Sequence, residues 1–130
     1  MRTAQLAGFP HPEVTDLLRE VNYGRYEGLT TEQIRVADPG WELYANGCPG
    51  GETPAQIYAR ATAFVETASA AQAEGSAAIA FAHGHILRAV AVAWITADIT
   101  VAAHLQLDVA TLSVLRATDR GNLIGLWNAP

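Results

Sequence analysis

The chain has 130 residues, a length typical of one domain, and half of them are apolar. The formal net charge of -5 argues against nucleic acid or an anionic membrane as a partner, because neither would be attracted. A phosphorylated small molecule stays compatible with this charge, since a local cluster of donors can hold an anion on an acidic protein.

The cysteine content and the hydropathy of the sequence indicate the cellular compartment. Cys48 is the one cysteine of the sequence, which excludes an intrachain disulfide and a paired-cysteine zinc site. A free thiol is typical of a reducing compartment, so we expect a soluble, cytoplasmic protein. The longest apolar stretch, residues 86–95, is interrupted by Arg88 and is too short to span a bilayer, and the N-terminus has no signal-peptide pattern.

The first half of the chain predicts short elements. Residues 13–19 are compatible with a strand leading into Glu20. Residues 30–33, Thr-Thr-Glu-Gln, predict a short capped helix that stops near Pro39. The turn-rich residues 41–51 predict irregular structure.

The second half predicts a helix, a strand, a helix and a hairpin. Thr53, Pro54 and Gln56 form a capped helix start, and Gly75 is a natural stop for that helix. Residues 77–82 are apolar on both faces, which predicts a buried strand covered by helices. The remaining elements are a helix from His85 to about Thr96 and two strands, 111–117 and 122–127, joined by a turn. The order indicates an α/β fold.

His83 is the strongest candidate for chemistry, because it ends a predicted strand and precedes a helix. Ligands of α/β sheets bind at the carboxyl ends of strands, and a helix N-terminus attracts anions. Gly84 permits close approach of the backbone to a ligand. A histidine that merely caps the following helix is the competing interpretation.

His85 makes the sequence His-Gly-His and raises the question of a metal site. A third ligand would have to come from His104 or from an acid such as Asp108, and no spacing supports either. We therefore predict no metal, and we expect His85 to line the mouth of the site or to cap the helix.

Glu20 stands before a glycine-containing loop, where a carboxylate could act as a general acid. Most glutamates are solvated surface groups, so this residue, like Glu27 and Glu52, carries no functional prediction on its own.

Four segments taken together resemble the histidine-phosphatase superfamily, also called phosphoglycerate-mutase-like. Thr-Ala-Gln-Leu-Ala-Gly at 3–8 resembles the tail of an arginine-containing segment, and 18–30 resembles the segment with the acidic catalytic residue. Pro-Gly-Gly-Glu-Thr at 49–53, with Arg60 downstream, resembles the family's helix start. Ala-Phe-Ala-His-Gly-His-Ile-Leu-Arg at 80–88 resembles the second-histidine motif. The segments occur in the family's order and cover nearly the whole chain.

The resemblance implies an activity. Family members hydrolyse phosphomonoesters through a phosphohistidine, without a cofactor. His83 would stabilise charge on the phosphoryl oxygens, and Glu20 would protonate the leaving alcohol. Gly84 and His85 would contact the substrate. Because mutases of the family usually carry a long insertion between the acid and the second histidine, phosphatase is favoured over mutase.

The sequence also departs from the family pattern. It contains no Arg-His-Gly-Glu, the motif that holds the nucleophilic histidine. We therefore expect residues 1–130 to be a single, N-terminally incomplete domain, a three-layer α/β/α fold that lacks its first strands. The strand at 77–82 would then have open edges, and we expect it to pair with the hairpin or with another copy of the chain. The alternative function is a non-catalytic module that binds a phospholigand or self-associates.

Overall fold

The computed structural model describes residues 2–71 and 75–130. The described α-helices are α1 Arg2–Leu6, α2 Thr31–Ala37, α3 Leu43–Asn46, α4 Pro54–Ala71 and α5 Gly84–Trp94. Short 3-10 helices lie at Asp16–Leu18, Gly24–Tyr26 and Ile99–His104, and two strands, β1 Leu112–Thr118 and β2 Gly121–Ala129, close the chain. None of the helices in these ranges combines the length and apolar character that a membrane span requires.

The core lies between α4 and α5, with α3 and the last 3-10 helix packed against them. Ile57 and Ala61 on α4 face Ile86 and Ala89 on α5, and all four are fully buried. These positions follow the helical spacing of apolar residues, so the sequence pattern and the packing agree.

Two helix starts have the capping that the sequence predicts. Before α2, Gln33 N donates to Thr30 Oγ1 at 3.2 Å, and Thr30 N donates to Gln33 Oε1 at 2.8 Å. The same reciprocal pair forms before α4, where Thr53 N donates to Gln56 Oε1 at 2.9 Å. Each pair satisfies backbone donors that a helix start leaves open, which confirms both predicted starts.

The predicted hairpin is confirmed: β1 and β2 pair in antiparallel register, from Leu112 opposite Ala129 to Thr118 opposite Gly121. Trp94, the last residue of α5, donates its indole N–H to Leu123 O at 3.1 Å. This bond attaches the hairpin to the end of α5.

The prediction of a buried strand at 77–82 is wrong for this chain. Within the described ranges these residues form no strand, and β1 and β2 pair with each other rather than with them. Ile79 and Phe81 are 58% and 36% exposed. A strand needs a neighbour to accept its hydrogen bonds, and no described strand lies alongside 77–82. Pairing of this segment with the hairpin is therefore also wrong.

Two smaller predictions are corrected. Residues 13–19 contain a 3-10 helix, Asp16–Leu18, instead of a strand, because Thr15 caps it through a bond from Leu17 N. Residues 41–51 include helix α3, which starts where Glu42 accepts from the backbone of the next turn. Helix α4 is described to Ala71, and residues 72–74, next to the predicted stop at Gly75, lie outside the described residues.

Candidate active site

The Glu20 carboxylate lies at the N-terminus of α5. Its Oε1 accepts hydrogen bonds from Ile86 N and Val21 N, both at 3.0 Å, and its Oε2 accepts from His85 N at 3.2 Å. The first backbone N–H groups of a helix have no partner within the helix, and the helix dipole favours negative charge there. The Glu20 carboxylate therefore lies where the start of α5 favours a negative charge.

His85 joins the same cluster through its ring. Its Nδ1 lies 3.3 Å from Glu20 Oε2, and its Nε2 lies 3.1 Å from the Tyr23 hydroxyl. Its carbonyl oxygen accepts the Tyr44 hydroxyl at 2.8 Å. Two tyrosines and a carboxylate thus fix this histidine at the start of α5.

These bonds set the charge of Glu20. Burial acts to raise the pKa of this carboxyl, but hydrogen bonds from the His85 ring and from the backbone of Val21 and His85 outweigh it. The pKa falls from 4.5 to about 2. Glu20 is therefore ionised at neutral pH. Burial, by contrast, raises the pKa of Tyr23 and of Tyr44, so both hydroxyls stay protonated.

His83, the strongest candidate for chemistry in the sequence, occupies a different position from His85. It is the residue before the first turn of α5, with extended backbone, and its exposed side chain makes no capping bond. In the described part of the chain, the imidazole that contacts Glu20 belongs to His85. Gly84 is the first residue of α5, and its carbonyl accepts from Arg88 Nε at 3.3 Å.

Glu20 and His85 open onto a cleft of about 710 Å³. A smaller cavity of about 240 Å³ adjoins it and shares three lining residues, Tyr23, Thr31 and His85. The larger cleft is lined by Arg19, Glu20, Val21, Asn22, Tyr23, Tyr26, Glu27, Gly28, Leu29, Thr30, Thr31 and His85. A substrate in this cleft would contact the carboxylate and the imidazole together.

Residues 2–71 and 75–130 contain no group of three or more His, Cys, Asp or Glu side chains placed to hold a metal ion. The cleft presents the carboxylates of Glu20 and Glu27, the imidazole of His85, the guanidinium of Arg19 and two phenolic hydroxyls, groups that transfer protons or hold anions.

Sequence reasoning missed four participants: Tyr23, Tyr44, Glu52 and Arg60. The tyrosines contact a histidine 62 and 41 positions away, and no local pattern signals such a contact. Glu52, interpreted as a surface residue, forms an ion pair with Arg60. In the sequence, only the family resemblance, with its helix start at 49–53 and Arg60 downstream, pointed to these two residues.

A model of the histidine phosphatase superfamily, branch 1, matches residues 1–130. The chain belongs to this superfamily. It is 41% identical over 113 residues to an acid phosphatase of Mycobacterium tuberculosis, a match that covers 86% of this chain and 55% of the relative. It is 40% identical over 95 residues to sedoheptulose 1,7-bisphosphatase of Saccharomyces cerevisiae, covering 62% of this chain and 35% of that one. The chain thus spans about half or less of the length of these two relatives.

Solved structures confirm the fold of this chain. The product of a Mycobacterium tuberculosis open reading frame superposes with a TM-score of 0.92 at 34% identity, over 98% of this chain and 65% of that one. A mycobacterial glucosyl-3-phosphoglycerate phosphatase, solved with inorganic phosphate, gives a TM-score of 0.79 at 24% identity, over 97% and 68%. The expected fold class, an incomplete α/β fold of the histidine-phosphatase type, is confirmed.

Proposed function

We propose that this chain carries the acid–base half of a phosphatase that hydrolyses a small phosphomonoester through a phosphohistidine. Glu20 is the general acid, His83 stabilises the phosphoryl oxygens, and Gly84 and His85 contact the substrate. The observation that supports this is the Glu20 carboxylate, which accepts from backbone N–H groups at the N-terminus of α5 and lines a cleft.

Glu20 takes the role of general acid only after a bound phosphate has raised its pKa. An ionised carboxylate cannot donate a proton, and Glu20 is ionised in the free protein. A phosphate dianion beside it favours the protonated form, because like charges repel. Glu20 then transfers its proton to the leaving alcohol oxygen, while His83 and the backbone of Gly84 hold the phosphoryl oxygens.

The nucleophile is not among the candidates in this sequence, which contains no Arg-His-Gly-Glu. We propose that a histidine outside residues 1–130 supplies it, and that the 130-residue chain binds phosphate without turning a substrate over. A phospholigand-binding module without catalysis is the second candidate, favoured by the same missing motif.

The test uses the full 130-residue chain and two variants, His83→Ala and Glu20→Gln. Inorganic phosphate binding is followed by ³¹P NMR, and hydrolysis of p-nitrophenyl phosphate is measured in parallel. We expect His83→Ala to weaken phosphate binding about tenfold, the loss of one charge-assisted hydrogen bond. Glu20→Gln should strengthen binding, because it removes a like charge.

The outcomes separate the two candidates. Hydrolysis that His83→Ala abolishes would show a complete enzyme and contradict an outside nucleophile. Phosphate binding without hydrolysis supports the proposal for this chain, and restored hydrolysis in a longer gene product distinguishes the phosphatase from the binding module. Phosphate binding that neither variant changes would refute the proposed site.

We also propose a reducing, cytoplasmic compartment for this protein, on the basis of the free and buried Cys48. Burial raises the pKa of its thiol to about 11, so the thiol is protonated and unreactive at neutral pH. The proposed partners are a phosphorylated small molecule and, through residues 77–82, a second copy of the chain.

A further inference from the structure

Glu52 and Arg60 form a side-on ion pair with little exposure to solvent. Arg60 Nε donates to Glu52 Oε1 at 2.9 Å, and Nη2 donates to Oε2 at 2.8 Å. The two side chains are 17% and 18% exposed, so solvent and salt screen this pair less than a surface pair. Arg60 lies in the second turn of α4 and Glu52 just before that helix, so α4 fixes their separation.

Arg60 also holds the chain immediately before Glu20. Its Nη1 donates to the carbonyl oxygens of Leu17, at 2.9 Å, and of Arg19, at 2.7 Å. One guanidinium therefore joins the carboxylate of Glu52 to two peptide groups. The planar fork of arginine can do this, whereas a lysine ammonium presents a single compact charge.

Glu52 holds the chain on the other side of Glu20. Its Oε2 accepts from Asn22 N at 2.8 Å, and its own N–H donates to Asn22 O at 2.9 Å. Burial acts to raise the pKa of Glu52, but the hydrogen bonds from Arg60 and Asn22 outweigh it and lower that pKa. Glu52 therefore stays ionised and remains paired at neutral pH.

We infer that the Glu52–Arg60 pair is a positioning device for Glu20. The pair forms hydrogen bonds with the backbone on both sides of Glu20, and these bonds place the Glu20 carboxylate at the N-terminus of α5. The inference rests on the proposed role of Glu20 as the general acid. An error of about 1 Å in the position of such a group can lower the rate about 10²-fold, so holding Glu20 rigidly in place supports catalysis.

The test follows the titration of the Glu20 carboxyl by ¹³C NMR in the 130-residue chain. The variants are Arg60→Met, Arg60→Lys and Glu52→Gln, and the control is Asp16→Asn, which removes an exposed ion pair at 3.7 Å in the same segment. We expect Arg60→Met to raise the pH midpoint of the Glu20 titration by about one pH unit or more, because the hydrogen bonds that His85 and Ile86 donate to the carboxylate lengthen. Arg60→Lys and Glu52→Gln should give smaller rises, and Asp16→Asn none.

A purely structural role predicts a different result. Lost stability without lost positioning would lower the unfolding midpoint and leave the Glu20 titration of the folded chain unchanged, and that outcome overturns the inference. If Arg60→Met does not fold, the two milder variants decide. The titration needs neither phosphate nor turnover, so failure of the proposed function, seen as absent phosphate binding, is distinguished from failure of the positioning role.

Discussion

The position at which helix α5 begins decides which of two neighbouring histidines faces Glu20. With α5 beginning at Gly84, His83 stays extended and exposed, while His85 lies in the first turn and points its ring at the carboxylate. The sequence predicted a helix start at His85 and gave site roles to His83 and Glu20. A shift of one residue in a helix start is below the resolution of sequence patterns, yet it changes the direction of each side chain.

The lowered pKa of Glu20 predicts a pH-dependent contribution to stability. A carboxyl whose pKa is about 2 when folded and near 4.5 when unfolded stabilises the fold above about pH 4.5. This contribution is lost as the pH falls from about 4.5 to 2. Because the side chain is 33% exposed, we discount the stabilisation to about 1 kcal/mol.

Urea unfolding of Glu20→Gln checks this prediction. The variant should be less stable than the native chain at pH 7, and the gap should narrow by pH 2.5. Glu13→Gln, which changes an exposed carboxyl, is the control and should show no gap at either pH. A gap for Glu20→Gln that stays constant with pH would contradict the assignment.

Among the helices and strands, the sequence predicted those whose formation depends on residues close together in the chain. The helices with reciprocal Thr and Gln caps and the Asp-Arg-Gly hairpin were predicted, because their signals lie within four residues. The strand predicted at 77–82 does not form, since a strand depends on a neighbour that is often distant in sequence. The Glu20–His85 contact spans 65 positions, so the residues of the site could be named while their partners could not.

A contact between two glycine-containing loops supports the site, and it predicts a large effect for Gly24→Ala. Gly24 has φ +53, and an added Cβ would lie 2.3 Å from Gly51 N, so the loops that carry Glu20 and Glu52 would have to separate. Gly28 has φ +78 with nothing within 4 Å of an added Cβ. Gly28→Ala therefore measures the positive-φ cost alone, about 1–2 kcal/mol.

Urea unfolding of both variants separates backbone strain from the clash. We expect Gly24→Ala to cost at least about 2 kcal/mol more than Gly28→Ala, because overpacking adds to the strain. Equal losses would mean that the two loops yield easily and do not support the site.

At the scale of the whole molecule, an exposed apolar segment runs into the site. Ile79 and Phe81 are exposed, and Phe81 contacts Phe9 with ring centroids 5.8 Å apart. An exposed, apolar and uncharged segment is the kind of surface that pairs with other chains. Since the segment ends at His83, whatever covers it also constrains the start of α5.

Association through this segment therefore predicts an average mass, in sedimentation, that rises with the concentration of the native chain. Ile79→Lys should reduce this rise, because a charge in an apolar pairing surface must be desolvated. Val109→Lys changes a residue that is 94% exposed elsewhere on the chain and should leave the association unchanged. A native chain that remains monomeric at all concentrations, with well-dispersed amide spectra, would show that residues 77–82 tolerate exposure. The start of α5 would then be fixed by the Glu20 contact itself.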